Sequence, residues 1–168
     1  MSEGVEREMS LEDRLVGKYL TFRVGGEAFG LPVGHVREIV PMTDAITPMP
    51  QTPDHLLGVT NLRGKVITVL DLRKWIGFEP DKSGKRRCIV VAKIPSSEAR
   101  EALLGMVVDA VDEVIAVEAE AIEATPDFGV GVDTRYLLGM AKSSAGVIGL
   151  LDVDVLVPRG EIVQESNA

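Results

Sequence analysis

Basic residues are in short supply: 18 Lys and Arg stand against 26 Asp and Glu in 168 residues, a formal charge of −8. Such a chain lacks the positive field that draws in a phosphate backbone, so nucleic acid is not expected as a partner. Cysteine is nearly absent. The single Cys88 cannot close an intramolecular bridge, and at the head of an apolar run it reads as a small core residue. Aromatics make up only 4% of the chain, and the lone Trp75 is expected to cap the core. No apolar run approaches the roughly 18 residues that span a bilayer, because charged residues, Gly or Pro interrupt each one. Residues 1–16 are acidic and polar, without the apolar stretch of a secretory signal. Direct membrane insertion is therefore not expected, and the expected compartment is the cytoplasm.

Several chemistries lack their residues. There is no Gly-x-Ser-x-Gly elbow, and only His35 and His55 could serve as histidine bases. Five residues separate Gly58 from Gly64, and Val66 follows Lys65 where a phosphate loop needs a hydroxyl. Paired Cys-x-x-Cys and His-Glu-x-x-His motifs are missing, leaving carboxylates such as Asp109, Asp112 and Glu113, which read as a solvated strand face. No cofactor, no metal and no catalysis are expected.

What the chain has in quantity is β-branched residues, 23 Val and 10 Ile, which favour a pleated, half-buried surface. Short apolar runs bounded by turn residues predict strands at 19–24, 28–31, 36–40, 66–70, 88–94, 104–108, 111–117 and 147–151. Gly25-Gly26 predicts a two-residue hairpin turn between the first two. Ser10 with Asp13, Asp71 and Asp152 mark starts of short helices. The stretch 41–53, with four prolines, reads as an irregular surface loop, and the basic run 82–87 and polar 96–101 as solvated connectors. The fold class is mostly β, with a few short helices.

The spacing hides a repeat. Gly30, Val33, Val36, Glu38 and Ile39 match Gly105, Val108, Val111, Glu113 and Val114 at a constant offset of 75. Gly58, Ile67, Val69, Leu70, Asp71 and Leu72 match Gly139, Ile148, Leu150, Leu151, Asp152 and Val153 at an offset of 81. Two related halves, each a small barrel, should pack on one another because either alone would be marginal. Residues needed to close a barrel should recur in both halves. Asn61-Leu62-Arg63-Gly64 fails that test: its counterpart is Lys142-Ser143-Ser144-Ala145. Arg63 therefore has another purpose, whereas Glu38, matched by Glu113, leaves both structural and functional roles open.

The segments 19–22, 29–31 and Val36-Arg37-Glu38-Ile39, the block Gly58-Val59-Thr60-Asn61-Leu62-Arg63-Gly64, and Asp71-Leu72-Arg73 resemble the CheW chemotaxis coupling proteins. The likeness continues through 104–109, 111–114, 136–139 and 148–152, covering about residues 17–157. It implies two tandem SH3-like β-barrel subdomains packed together, roughly 31–87 and 88–158 with strand exchange possible, between a flexible segment 1–16 and a tail 159–168. It also implies a non-enzymatic adaptor. The partners would be the cytoplasmic tip of methyl-accepting chemotaxis receptors and the regulatory domain of a CheA-type histidine kinase. By the same resemblance Arg63 and Glu38 make signalling contacts, and Val36 and Gly58 lie in receptor-contact segments; Asn61 and Gly64 complete the expected partner-binding set. Two other functions stay open: a small-molecule sensor or enzyme subunit using Asp109, Glu113 and Arg63 in an inter-barrel groove, and a coupling domain for a non-motility kinase.

Overall fold

A computed structural model describes residues 10–42, 45–77, 87–94, 102–124, 136–144 and 146–156. The chain runs α1 (Leu11–Leu15), β1 (Gly17–Val24), β2 (Glu27–Pro32), a 3-10 turn (Val33–His35), β3 (Val36–Pro41), β4 (Leu56–Leu62), β5 (Lys65–Asp71) and α2 (Leu72–Ile76). It continues through β6 (Cys88–Ile94), β7 (Ala102–Val108), β8 (Ala110–Val117), a 3-10 turn (Ala119–Ala121), β9 (Ile122–Glu123), β10 (Leu137–Ser143), β11 (Gly146–Leu151) and α3 (Val153–Leu156). The strands form two sheets, β8-β1-β2-β11-β10-β9 and β3-β6-β7-β5-β4.

The duplication is present in the hydrogen bonding. Laid on β8-β1-β2-β11-β10, the order β3-β6-β7-β5-β4 matches strand for strand. The hairpins β4–β5 and β10–β11 pair in the same register at an offset of 81, and both slip at the same step, after Leu56 and after Leu137. The parallel contact Val69↔Gly105 is answered by Leu150↔Gly30. Three apolar clusters follow from this symmetry. One lies inside each barrel, and a larger one, including Phe22, Leu31, Leu70, Val90, Met106 and Leu151, joins the two sheets. The result is two SH3-like subdomains with a shared core.

The two sheets exchange strands across the chain. β6 and β7 pair with β3 and β5, while β1 and β2 cross into the sheet completed by residues 110–151. Without β6 and β7, β3 has no neighbour and β4–β5 is an isolated hairpin. An isolated two-stranded hairpin is marginal, and β6 and β7 complete the sheet.

The described part of the N-terminal segment begins with the short helix α1. Ser10 Oγ accepts the Asp13 N–H at 3.1 Å and caps α1. Leu11 and Leu15 share one helix face; Leu15 is buried, and its carbonyl accepts the Tyr19 hydroxyl at 2.7 Å. Burying one Leu contributes about 1.5–3 kcal/mol, enough to hold a single turn in place. Residues 1–9, the tail 159–168, the connector 96–101 and the basic run 82–86 lie outside the described residues.

Candidate functional site

The Asn61-Leu62-Arg63-Gly64 block is the hairpin turn between β4 and β5, closed by the Leu62↔Lys65 pair. Its two central residues take positive φ, 51° at Arg63 and 88° at Gly64. A right-twisted two-residue hairpin demands this pair of conformations, and Gly64 adopts its own without strain. Arg63 does not: a non-glycine residue held left-handed is strained. Asn61 compensates locally, its Oδ1 accepting the Gly64 N–H at 2.8 Å.

The strained turn aims a guanidinium across the barrel mouth. Arg63 Nη1 donates to Glu38 Oε2 at 2.8 Å. Glu38 lies on β3, and β3 and β4 are the two edges of one five-stranded sheet, so the ion pair links edges that no ladder joins. β3 alternates: Val36, Glu38 and Val40 are half-buried, and Arg37, Ile39 and Pro41 are exposed. The Arg63 side chain is 76% exposed and that of Glu38 only 19%. Left in water, such a pair is worth about 0–1 kcal/mol. Once covered, its members become costly to separate.

The expected site residues thus divide. Arg63, Glu38, Asn61 and Gly64 meet at one turn. Val36 stands two residues from Glu38 on the same strand and packs against the central core. Gly58 is buried and presents no side chain. A Cβ there would collide with the Thr47 carbonyl oxygen and lie 2.7 Å from its carbon. Thr47 bridges to Val59, and the repeat mate Gly139 is crowded in the same way by Leu15 and the Glu123 carbonyl. Glycine at both positions lets an edge segment close the barrel.

Glu113 differs from its mate Glu38. Its side chain is exposed, and its backbone N–H and C=O are engaged by Thr21 Oγ1. With Ser144 opposite in place of Arg63, the edge-to-edge ion pair belongs to one barrel alone.

Asp109 is not on a solvated face. It is buried, and its Oδ2 accepts the Gly25 N–H at 2.7 Å while Arg73 Nη1 lies 3.9 Å from its Oδ1. Arg73 and Arg87 both reach Asp71 Oδ2 at 3.4 Å. Two carboxylates and two guanidiniums thereby neutralise one another, with Asp71, Arg73 and Asp109 buried and Arg87 half-buried at the boundary. Asp71 and Arg73 are near neighbours in the chain, but Asp109 joins them from a distant strand end and lies 84 residues from Gly25, so the network is not legible from local spacing. The repeat carried a signal, since Arg73 and Asp109 correspond to Asp154 and Gly34. Asp112, by contrast, is partly exposed and pairs with Arg23 at 3.3 Å. Trp75 packs half-buried against the core, edge-on to His55 with ring centroids 4.4 Å apart.

Among the described residues no group of three or more His, Cys, Asp or Glu could hold a metal ion, and no helix is long and apolar enough to cross a membrane.

Comparison with known proteins gives one consistent answer. The CheW-like domain model matches residues 18–161. The chain is 32% identical to a probable chemotaxis protein CheW of Rhizobium etli, over 84% of this chain and 88% of the relative. It is 30% identical to chemotaxis protein CheW of Klebsiella aerogenes, over 98% of this chain and 96% of the relative. The crystal structure of the scaffolding protein TtCheW from Thermoanaerobacter tengcongensis superposes with a TM-score of 0.73 at 31% identity, covering 90% of this chain and all of that one. The domain model over residues 18–161, these relatives and the paired barrels place the chain in the CheW-like family of chemotaxis scaffold proteins.

Proposed function

We propose that this chain is a non-enzymatic adaptor that couples the cytoplasmic tip of methyl-accepting chemoreceptors to the regulatory domain of a CheA-type histidine kinase. The observation that carries the reading is the Arg63–Glu38 pair. It sits on a strained turn, in one barrel of two, where closing the fold does not require it. Backbone strain kept at an exposed position points to a role outside folding. Beside the pair a cavity of about 210 Å³ is lined by Val40, Leu62, Ile67, Ile89 and Val91, so the surface offers an apolar recess next to a charge. A helical partner docks through such anchors, with the ion pair setting register and excluding wrong partners.

The rival sensor function loses support at its own residues. Asp109 is buried in an internal ion pair and Glu113 is exposed on β8, so the polar groups it needs do not converge with Arg63.

The test is co-sedimentation of the purified chain with receptor-bearing membranes, with and without the kinase, for wild type and Arg63→Ala. Arg63→Ala should weaken receptor binding at least tenfold, about 1.4 kcal/mol. Unchanged affinity would remove Arg63 from the receptor site, and failure of the wild type to retain kinase on receptor membranes would overturn the adaptor function itself.

A further inference from the structure

A second surface, remote in sequence from the Arg63 turn, combines a cavity with unmatched charge. Between α1, the start of β1 and β10 lies a cleft of about 380 Å³, within the range of about 300–1,000 Å³ that small-molecule sites occupy. Leu15 and Tyr19 in its lining are buried, Leu138 is half-buried, and Arg14 and Lys18 are exposed. The cleft therefore grades from an apolar interior to a cationic rim. Gly17 also lines it, and a Cβ there would meet nothing within 4 Å, so the backbone leaves the space open.

Among the described residues no carboxylate lines this cleft, although acidic residues outnumber basic ones 26 to 18 in the chain. Among the described residues neither Arg14 nor Lys18 forms an ion pair. His35, also in the lining, is engaged through Nδ1 with the Lys93 carbonyl at 3.3 Å. The repeat sharpens the point. Strand register matches Lys18 to Cys88, Tyr19 to Ile89 and Leu138 to Leu57. The apolar frame recurs in both halves, and the lysine does not.

We propose that this cleft binds an amphipathic carboxylate, an anionic head on a short apolar chain. The head would pair with the Arg14 guanidinium, whose planar fork matches a carboxylate, and with Lys18. The chain would lie against Leu15, Tyr19 and Leu138. This site is independent of the adaptor reading and needs neither receptor nor kinase.

The experiment is an amide chemical-shift titration of the full chain with octanoate, and with octylamine as the probe of equal length and opposite charge. Octanoate should shift the amides of Gly17, Lys18 and Leu138 saturably, and octylamine should bind at least tenfold more weakly. The double charge reversal Arg14→Glu with Lys18→Glu should lose octanoate binding by tenfold or more, with the remaining spectrum unchanged; Arg14→Lys with Lys18→Arg should keep it. The proposal is overturned if octanoate gives no saturable shift up to about 10 mM, weaker than the weakest binding worth assigning. Equal binding of octylamine, or full binding by the charge-reversed protein, overturns it as well.

Discussion

Asp109 Oδ2 accepts a 2.7 Å hydrogen bond from the backbone N–H of Gly25, the first residue of the turn in the exchanged β1–β2 hairpin. Asp109 itself sits between β7 of one sheet and β8 of the other, so one carboxylate anchors the hairpin where the chain changes sheets. Arg73 supplies the balancing charge from the first turn of α2.

Breaking that arrangement should be severe. Asp109→Ala leaves the Gly25 N–H without its charged acceptor, while Arg73 keeps Asp71, so the substitution is expected to cost about 2–3 kcal/mol in urea unfolding. A loss no greater than that of Arg63→Ala, whose exposed pair is worth about 1 kcal/mol at most, would show that water already solvates the network.

Gly58→Ala tests the edge closure. Its Cβ meets the Thr47 backbone, which no rotamer change relieves. The variant should lose about 2 kcal/mol or more and melt several degrees lower. If receptor binding is then lost, the same loss after Thr47→Ala would be unexpected, since Thr47 makes its bridge through the backbone.

Arg63→Gly separates strain from contact. Glycine adopts φ near 51° freely, so the variant should melt at the same temperature as wild type or higher, the relieved strain of about 1 kcal/mol offsetting the lost surface pair. Receptor affinity should nevertheless fall at least as far as in Arg63→Ala. A lowered melting temperature would mean the ion pair holds the barrel shut.

Tyr19 gives the chain an alkaline limit. Burial raises its phenol above the ordinary value near 10. The unfolded chain therefore releases this proton at lower pH than the folded one. Stability from Tyr19 is complete below about pH 10 and lost as pH rises through the folded value. Melting temperatures compared at about pH 9 and 11 should fall more for wild type than for Tyr19→Phe. The Phe variant should start about 0.5–1.5 kcal/mol less stable for want of the bond to the Leu15 carbonyl. Parallel declines would place the alkaline sensitivity elsewhere.

Much of this architecture was legible before any coordinates. β6 matches its expected bounds, and seven other expected strands lie within β1, β2, β3, β5, β7, β8 and β11. The missed strands are instructive. β4 and β10 occupy equivalent places in the two sheets, and each carries a bulge glycine, Gly58 or Gly139, that breaks the alternation. β9 is two residues long and exists only by pairing with β10. The Arg63 turn was singled out because the repeat exposed an unmatched arginine. Its pairing with Glu38 was one of two options, the other being a partner's carboxylate, because 25 residues separate the two and only curling of the sheet brings its edges together.

The amino-acid order by itself determined the β content, the duplication and the capped turns of α1, α2 and α3, because each depends on local spacing, branching and side-chain acceptors. Tertiary structure alone decided which hairpin crosses between barrels, which charges meet in the interior, and that Leu15 is buried. Those outcomes depend on contacts between distant segments, and the free energy of such contacts is set by the burial that folding creates.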